Sequence, residues 1–357
     1  MKSWNKKDID KPLLIAGPCS AETREQVLAV AEQLKDQKVA YYRAGIWKPR
    51  TRPGAFEGAG SEGLAWLKEV KETYGMKITT EVANTQHVEE CLKAGVDLLW
   101  IGARTTTSPF AVQEIAEALE GVDVPVLVKN PVNPDTKLWI GAIERLMKSG
   151  ITEIGGIHRG FSVFEKKKYR NTPQWQIPVD LQQAFPDMPI ICDPSHIGGQ
   201  RDYIQEISQK AMDLNFDGLM IETHITPDEA WSDAAQQVTP QSLKEIVDSL
   251  VIRKVNPENV SMEELTELRS EINHLDDLLL EVLEKRMKIS EKIGAYKMRN
   301  NMTILQKDRW ESLLAKNVER ASQFDISESF VKGMFKLIHQ ESINIQEEVF
   351  RRKEEVK

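Results

Sequence analysis

Four residues with metal-binding side chains occur in short polar segments of the first two thirds of the chain. Cys19 lies in AGPCS, His196 in DPSH, Glu222 in IETH and Asp233 in WSDAAQ. A thiolate, an imidazole and two carboxylates form a mixed soft and hard ligand set, which suits a first-row divalent ion such as Mn, Fe, Co or Zn. His224, two residues after Glu222, is a rival ligand. The set predicts a site for one divalent metal ion.

Basic residues accompany these four ligands along the same part of the chain. They are Arg43, Lys48 and Arg50, with the hydroxyl of Thr51, in and before KPRT, and Arg104, Lys129 and Arg159 in IGART, VKN and HRG. Cations that converge without a matching number of acids repel one another unless a polyanion occupies the site. Arginine forks suit phosphate oxygens, so the pattern predicts a ligand that carries phosphate and carboxylate groups. A metal beside such a pocket favours Lewis-acid polarisation of a carbonyl.

The elements that must position these residues are apolar runs that alternate with amphipathic helical stretches. The runs are 13–17, 39–45, 77–82, 98–104, 125–130, 153–160, 189–196 and 218–224. Short, nearly continuous apolar strands between helices indicate a parallel sheet covered on both faces. Eight such units predict an α/β fold, a (β/α)8 barrel. A doubly wound open sheet is the competing interpretation, and the lack of a Gly-rich dinucleotide fingerprint disfavours it.

A barrel accounts for the positions of the reactive residues. The carboxyl ends of the eight runs carry Cys19, Arg43, Glu81, Arg104, Lys129, Arg159, His196 and Glu222. In a barrel these ends converge on one face, where the βα loops build the active site. Any single member of the set would more often be a solvated loop charge. Ionisable groups at eight successive strand ends favour a shared site.

Composition limits the class of protein. The chain has 357 residues, of which 41% are hydrophobic and 29% charged, and this length allows two domains. No apolar run approaches the roughly 20 residues that cross a bilayer, and the N-terminus lacks an apolar signal core, so we expect a cytoplasmic protein without a membrane partner. Cys19, Cys91 and Cys192 show no paired spacing, which argues against a disulfide framework. The formal net charge of −8 argues against a general nucleic-acid surface.

The sequence changes character after Leu250, and we divide it into a barrel at 1–252, a linker at 253–261 and a helical domain at 262–357. From Leu265 to Tyr296, apolar residues recur at a three-four spacing that is typical of a coiled-coil seam. A helix of about 38 residues cannot bury such a seam alone, so we expect a homodimer through these helices. Two more helical patterns cover about 307–321 and 328–350.

One position of the seam is basic. Arg286 replaces the apolar residue expected between Val282 and Ile289, and a buried guanidinium must be paired or must serve a ligand. Lys297 lies eleven residues later on the same face, and Arg309 opens the next helix. These three cations predict a pocket for a small dianion inside a helical bundle. Arg269 lies roughly a quarter turn off that face and points elsewhere.

The segments AGPCS, R-x-x-x-x-KPRT, IGART, VKN, HRG, DPSH and IETH followed by SD resemble, in this order, the 3-deoxy-D-arabino-heptulosonate 7-phosphate (DAHP) synthase family. The resemblance covers the whole first domain. It implies a metal-dependent (β/α)8 barrel that condenses phosphoenolpyruvate with erythrose 4-phosphate. The closest rival is the 3-deoxy-octulosonate 8-phosphate synthase family, which acts on arabinose 5-phosphate and has an Asn-containing segment in place of KPRT. The KPRT segment therefore favours erythrose 4-phosphate.

The resemblance also implies a role for each matching residue. The implied metal ligands are Cys19, His196, Glu222 and Asp233. The implied phosphoenolpyruvate contacts are Arg43 and Lys48 for the carboxylate, and Arg104, Lys129 and Arg159 for the phosphate. The implied erythrose 4-phosphate contacts are Arg50 and Thr51. Lys48 also helps to polarise the aldehyde, and Glu81 lies near the carbon that gains water.

The second domain resembles the all-helical chorismate mutases of the small dimeric class over about residues 262–350. The basic residues that keep this family's spacings are Arg269, Arg286, Lys297 and Arg309, and the matching pair on the last helix is Ser342 and Gln346. The resemblance implies rearrangement of chorismate to prephenate. In it the arginines hold the two carboxylates, Arg269 reaches into the partner chain's site, and Lys297 and Gln346 stabilise the ether oxygen.

Two interpretations of the helical domain stay open at this point. It is an active mutase, or it is a module that senses prephenate or chorismate and dimerises the barrel. The presence of Lys297 and Gln346 favours the active mutase. In both cases prephenate is a candidate effector of the barrel, because the two activities stand at the entry and the branch point of one pathway.

Overall fold

The computed structural model describes residues 12–48, 54, 56–164, 168–253 and 261–354. The chain divides into two compact units, Met1–Pro257 and Glu258–Lys357. Arg50 and Thr51 of the KPRT segment lie outside the described residues, and so does the predicted linker except for its end residues 253 and 261.

The first unit is a closed barrel of parallel strands that follow one another in chain order. The strands are β1 (Leu13–Gly17), β2 (Tyr41–Arg43), β3 (Ile78–Val82), β4 (Leu98–Ile101), β5 (Val126–Lys129), β6 (Ile154–His158), β7 (Ile190–Cys192) and β8 (Gly218–Glu222). The barrel closes where β1 pairs with β8, from Leu13 opposite Gly218 to Gly17 opposite Glu222. The predicted (β/α)8 barrel is confirmed.

Helices cover the outside of the barrel and shape the loops at the carboxyl ends of its strands. They are α1 (Arg24–Leu34), α2 (Ser61–Tyr74), α3 (Thr85–Ala94), α4 (Ala103–Thr106), α5 (Pro109–Ala118), α6 (Thr136–Lys148), α7 (Gln176–Ala184), α8 (Pro194–Gly198), α9 (Ile204–Asp213) and α10 (Pro240–Ser249). Two predicted runs were too long. The DPSH segment leaves β7 to form α8, and Arg104 lies on α4 rather than at the end of β4.

Two separate apolar layers stabilise the barrel. Residues such as Ile15, Trp100 and Met220 fill its interior, while a larger core lies between the strands and the surrounding helices. Gly17 ends β1 with φ of +145°, and a Cβ added there would lie 2.0 Å from the carbonyl oxygen of Arg43. Only glycine allows this approach, so Gly17 lets the AGPCS segment turn inward against β2.

The second unit contains the helices α11 (Glu263–Arg299), α12 (Lys307–Ala321) and α13 (Glu328–Glu354). Their positions agree closely with the helical patterns in the sequence. Helix α11 packs along α13, and the two approach closely at Gly294, where an added Cβ would lie 3.0 Å from Cγ of Gln346. None of the helices in the described part of the chain is both long and apolar enough to cross a bilayer.

The apolar seam of α11 faces solvent within a single chain. Ile272 is 56% exposed, Leu275 and Val282 are each 60% exposed, and Ile289 is 57% exposed. Isolated apolar residues are common on protein surfaces, but a continuous stripe of large ones marks an interaction surface.

Candidate active sites

A buried ion pair lies at the carboxyl face of the barrel. Nη2 of Arg43, at the end of β2, lies 3.1 Å from Oε1 of Glu222, at the end of β8, and both side chains are almost fully buried. Oε2 of Glu222 accepts a hydrogen bond from Gln236 at 2.7 Å. Burial opposes ionisation of Glu222, but His196 and Arg43 hold its pKa below the ordinary value. Nε and Nη1 of Arg43 are buried and have no hydrogen-bond partner among the described residues.

Three of the four predicted metal ligands lie together, and one of them is Glu222 of this ion pair. Ligand atoms of Cys19, Glu222 and Asp233 all lie within 4.8 Å of one another. Burial and the neighbouring Glu222 raise the pKa of Cys19 to about 11. Asp233 stays anionic despite burial, because Arg170 and His196 lower its pKa to about 2. These three residues form a compact set of one soft and two hard donors, which fits a first-row divalent ion.

The fourth predicted ligand, His196, approaches the same cluster. Its Nε2 lies 3.8 Å from Oε1 of Glu222, while its Nδ1 lies 2.9 Å from Oδ1 of Asp193. Burial lowers the pKa of His196, which favours the neutral ring that binds metals. A carboxylate behind one ring nitrogen commonly orients a metal-bound histidine. Asp193 is therefore part of the site. It belongs to the DPSH segment, in which the sequence pattern predicted a role only for the histidine.

The rival ligand His224 faces another partner. Its Nε2 lies 3.5 Å from Oε2 of Glu22, and its Nδ1 accepts a hydrogen bond from the backbone of Thr226 at 3.0 Å. Glu22 in turn accepts a hydrogen bond from the backbone of Trp231, two residues before Asp233. His224 therefore supports the loop that carries Asp233 and lies outside the ligand cluster.

The expectation that the basic residues lack matching acids was wrong for two of them. Arg43 pairs with Glu222, and Nζ of Lys129 lies 2.9 Å from Oδ2 of Asp193, with both members of that pair buried as well. The sequence reasoning missed these pairs because the partners lie on distant strands that only the closed barrel brings together.

Arg159 and Arg104 follow β6 and β4 on the same face. The backbone N–H of Arg159 donates to Oδ1 of Asn130 at 2.7 Å, and its Nη1 donates to Oδ1 of Asn171 at 3.0 Å. Burial lowers the pKa of Arg159 to about 10, and Arg104 lies close enough to contribute to this lowering. Arg104 itself is exposed. The two asparagines orient Arg159, and the sequence gives no sign of that role.

Lys48 and Glu81 line one cavity of about 230 Å³, together with Trp47, Glu57, Ala83 and His87. Nζ of Lys48 lies 3.1 Å from Sγ of Cys19, so one wall residue of the cavity contacts a member of the ligand cluster. Oε2 of Glu81 accepts a hydrogen bond from Nε1 of Trp100 at 2.9 Å. A cation and a carboxylate therefore border one cavity, and the cation also contacts the predicted metal ligand Cys19.

In the helical unit, α11 and α13 bring four of the predicted residues together. Nη1 of Arg286 donates to Oγ of Ser342 at 2.5 Å, and Nε2 of Gln346 donates to the backbone carbonyl of Ser342 at 3.0 Å. Lys297 is only 8% exposed, and its Nζ donates to the carbonyl of Ile304 at 2.5 Å. Burial lowers the pKa of both Arg286 and Lys297. Neither cation pairs with a carboxylate in the described part of the chain, and partly desolvated cations of this kind favour an anionic ligand.

The other two predicted cations of this unit, Arg269 and Arg309, are exposed. Lys297 also lines a cavity of about 310 Å³, whose remaining walls are Ile289, Lys292, Ile293, Tyr296, Met302 and Gln306. Ile289, Ile293 and Tyr296 belong to the exposed seam, so this cavity opens on the same face as the stripe of apolar residues.

Comparisons with known proteins agree with both units. The model of the DAHP synthetase I family matches residues 6–254, and that of chorismate mutase type II matches residues 268–347. A phospho-2-dehydro-3-deoxyheptonate aldolase from Thermotoga maritima is 31% identical over 237 residues, which cover 66% of this chain and 68% of that protein. A 2-dehydro-3-deoxyphosphooctonate aldolase from Wolinella succinogenes is 28% identical over 264 residues, which cover 67% of this chain and 98% of that protein.

The fold agrees with solved structures as well. The crystal structure of the Thermotoga maritima DAHP synthase superposes with a TM-score of 0.61 at 31% identity, covering 67% of this chain and 68% of that one. A truncated form of the Thermotoga maritima enzyme superposes with a TM-score of 0.59 at 29% identity, covering 70% of this chain and 88% of that one. The chain belongs to the DAHP synthetase I family and carries a chorismate mutase type II domain at its C-terminal end, so it is a bifunctional transferase and isomerase.

Proposed function

We propose that the barrel catalyses a metal-dependent condensation of phosphoenolpyruvate with erythrose 4-phosphate, which gives DAHP and phosphate. The observation that carries this proposal is the cluster of Cys19, Glu222 and Asp233 next to the buried Arg43 and to Lys48. A divalent metal held by these three residues and His196 would supply Lewis-acid polarisation of the aldehyde carbonyl. The donor set suits Mn, Fe, Co or Zn.

The cations on the carboxyl face hold phosphoenolpyruvate. Arg43 and Lys48 bind its carboxylate, and the two guanidinium nitrogens of Arg43 without a described partner are the donors for it. Lys129, Arg159 and Arg104 bind its phosphate. The Asp193 and Asn171 contacts keep Lys129 and Arg159 in place before the substrate arrives. Such preorganised donors lower the barrier because they need little rearrangement during the reaction.

The reaction forms one carbon–carbon bond and one carbon–oxygen bond to water, and it breaks the carbon–oxygen bond to phosphate. The methylene carbon of phosphoenolpyruvate attacks the aldehyde carbon of erythrose 4-phosphate, and Lys48 donates a hydrogen bond to the aldehyde oxygen. This oxygen becomes an alcohol with one proton of the water that adds in the next step, and the other proton of that water leaves with phosphate. Positive charge develops at the carbon that bears the phosphate oxygen, and water adds there. Phosphate then leaves with the bridging oxygen. Glu81, which lines the same cavity as Lys48, orients the water.

Erythrose 4-phosphate is the proposed aldehyde because the family model and the KPRT segment both favour it. Arg50 and Thr51 of that segment are the proposed contacts to its phosphate end. The second candidate is arabinose 5-phosphate, since relatives named 2-dehydro-3-deoxyphosphooctonate aldolase align with 67% to 70% of the chain.

The test is phosphoenolpyruvate consumption by the full chain with each aldehyde, after removal of metal with a chelator and re-addition of Mn, Fe, Co or Zn. We expect turnover with erythrose 4-phosphate only, and only after metal is restored. Turnover in the chelated enzyme would contradict metal dependence. A preference for arabinose 5-phosphate would overturn the proposed substrate.

For the helical unit we propose rearrangement of chorismate to prephenate in a homodimer. Arg286 and Arg309 hold the two carboxylates of chorismate together with Arg269 of the second chain, while Lys297 and Gln346 stabilise the ether oxygen as its bond breaks. Oε1 of Gln346 is buried without a described partner, and Nε2 of Gln346 bonds to Ser342. The cavity at Lys297 opens on the apolar seam, which supports a second copy as its missing wall.

Chorismate consumption by the full chain, with and without chelator, tests this second activity. We expect it to persist without metal, because the rearrangement needs no nucleophile and no Lewis acid. A chain that binds chorismate or prephenate without converting chorismate would instead favour the sensing module.

We also propose that prephenate inhibits the barrel. The two reactions stand at the entry and the branch point of one pathway, and one chain carries both. Addition of prephenate to the phosphoenolpyruvate assay should lower the rate. An unchanged rate at prephenate concentrations that saturate the helical domain would rule out this coupling.

A further inference from the structure

Trp100 contacts three of the proposed catalytic and binding groups of the barrel with a single side chain. Its Nε1 donates to Oε2 of Glu81 at 2.9 Å. The guanidinium carbon of Arg43 lies 5.1 Å from the centre of its ring, and Nζ of Lys129 lies 5.7 Å from that centre. The indole is 1% exposed, so these contacts occur in a desolvated environment.

The register of the barrel produces this arrangement. Trp100 lies directly opposite Glu81 across β3 and β4, and Lys129 ends the next strand, β5. Trp100 is also a member of the interior cluster, where it packs with Leu98 and Leu127 beneath the carboxyl face. The side chain therefore lies between the apolar interior of the barrel and the charged groups of the site.

An indole suits this position for two separate reasons. Its π face attracts cations more strongly than that of any other side chain, and the attraction grows when the pair is desolvated. Its N–H edge is a donor that needs a partner when buried, and the carboxylate of Glu81 provides one. The ring can thus fix two positive groups and one negative group at the same time.

We infer that Trp100 is a positioning residue of the condensation reaction. Its N–H sets the orientation of Glu81 toward the water, and its ring fixes Arg43 and Lys129, which hold phosphoenolpyruvate. This inference rests on the roles proposed above for those three residues. If Trp100 only filled the barrel interior, its substitution would lower stability. It would not change kcat through Glu81 and KM through Arg43 and Lys129 separately.

Two substitutions separate the donor from the ring. Trp100→Phe keeps an aromatic face but removes the N–H, so we expect kcat for phosphoenolpyruvate condensation to fall about 10- to 100-fold while KM for phosphoenolpyruvate stays within about twofold. Trp100→Leu removes both features, so we expect KM for phosphoenolpyruvate to rise about tenfold in addition. If Trp100→Leu does not fold, the split between kcat and KM in Trp100→Phe decides the question alone.

Trp139→Phe is the matched control. Trp139 is a fully buried tryptophan of α6 that belongs to the apolar layer between strands and helices, and its Nε1 donates to the backbone carbonyl of Val128 at 3.0 Å. Trp139→Phe loses one buried indole hydrogen bond, as Trp100→Phe does. The temperature midpoint of unfolding should therefore fall about equally in the two variants, while Trp139→Phe keeps kcat and KM unchanged. Equal kinetics for the two variants would overturn the role of Trp100.

Lys129→Met distinguishes failure of this inference from failure of the proposed site. If Lys129→Met raises KM for phosphoenolpyruvate and both Trp100 variants behave like Trp139→Phe, then only the inference about Trp100 is wrong. If Lys129→Met leaves KM for phosphoenolpyruvate unchanged, the proposed binding site is wrong and the inference fails with it.

Discussion

The two units of this protein differ in which side chains they bury: the barrel buries charged groups, and the helical unit exposes large apolar ones. The barrel buries charges at the carboxyl ends of its strands, with Arg43 1% and Glu222 0% exposed, and pairs them with one another. Helix α11 instead leaves Leu275 and Val282, each 60% exposed, on its surface. A sheet that closes on itself encloses its own core, whereas one long helix can bury only the face that another helix covers.

This difference predicts how each site is completed. The described ligands and cations of the barrel come from one chain and meet on one face. In the helical unit, Arg286 donates to Ser342 of α13 and Lys297 donates to the carbonyl of Ile304, while Arg269 is exposed near the N-terminal end of α11. The barrel site is therefore expected to work within one chain, and the helical site to need two.

The largest expected effect separates the two sites by their metal requirement. Cys19→Ala removes the soft ligand of the cluster, so we expect the rate of phosphoenolpyruvate condensation to fall about 1,000-fold and the bound metal to be lost. Chorismate rearrangement should be unchanged in the same preparation. Metal content by elemental analysis and both rates measure the outcome.

Cys91→Ala is the control for that variant, because Cys91 is an equally buried cysteine on α3 outside the cluster. It should keep its metal and both activities. Full metal-dependent turnover by Cys19→Ala would show that Cys19 is not a ligand.

The second effect reverses the comparison by disabling only the helical site. Lys297→Met keeps much of the buried stem of Lys297 but removes its charge, so we expect kcat for chorismate rearrangement to fall about 100- to 1,000-fold. Lys288→Met, an exposed lysine that pairs with Glu284 on the opposite face of α11, is the control. Condensation by the barrel should be unaffected in both variants. A Lys297→Met chain with normal mutase activity would remove Lys297 from the mechanism.

Much of the barrel's site was predictable because strand ends in a parallel barrel share one face. Cys19 and Glu222 lie at opposite ends of the chain segment that forms the barrel, yet the closure of β1 on β8 brings them together. The prediction needed only the order of the apolar runs and the residues that end them.

The parts that the sequence did not predict depend on side-chain partners across the barrel. Asp193 was overlooked because a carboxylate before a histidine has no fixed role until its partners, Lys129 and His196, are seen. Trp100 lies inside the apolar run 98–104 and was given no role, since periodicity cannot show that its N–H donates to Glu81. Local pattern fixes the position of a residue on a strand but not its hydrogen-bond partner.

The third effect tests whether the exposed seam is an interface between copies of the chain. Replacing Ile272 and Leu279 by Glu places two charges in the seam, so we expect the dimer to weaken by at least about 100-fold. The mutase rate should fall with the fraction of monomer, and the barrel should keep its activity. Analytical ultracentrifugation over a range of protein concentrations measures the dissociation.

Ser270→Glu combined with His274→Glu is the matched control for the seam variant. Both residues are exposed and lie on the side of α11 away from the seam, and the added charge is the same. This control should remain dimeric. A seam variant that associates as tightly as the control would show that the apolar stripe is not the interface.

The smallest effect concerns the support of a metal ligand. Nη1 of Arg170 lies 3.0 Å from Oδ1 of Asp233 and 2.8 Å from Oε1 of Gln236, so it ties the loop after β6 to the loop after β8. Arg170→Gln should weaken metal binding about tenfold, as loss of a group that orients a ligand usually does. Because the ligand itself remains, excess metal should restore most of the condensation rate.

A metal titration of condensation activity distinguishes this role from a direct contact with substrate. Lys168→Gln, two residues earlier and paired with Glu206, should show the unaltered metal dependence. If Arg170→Gln raises KM for a substrate and excess metal does not rescue it, then Arg170 binds substrate instead. The barrel's enclosed site would in that case extend further along its loops than the ligand cluster indicates.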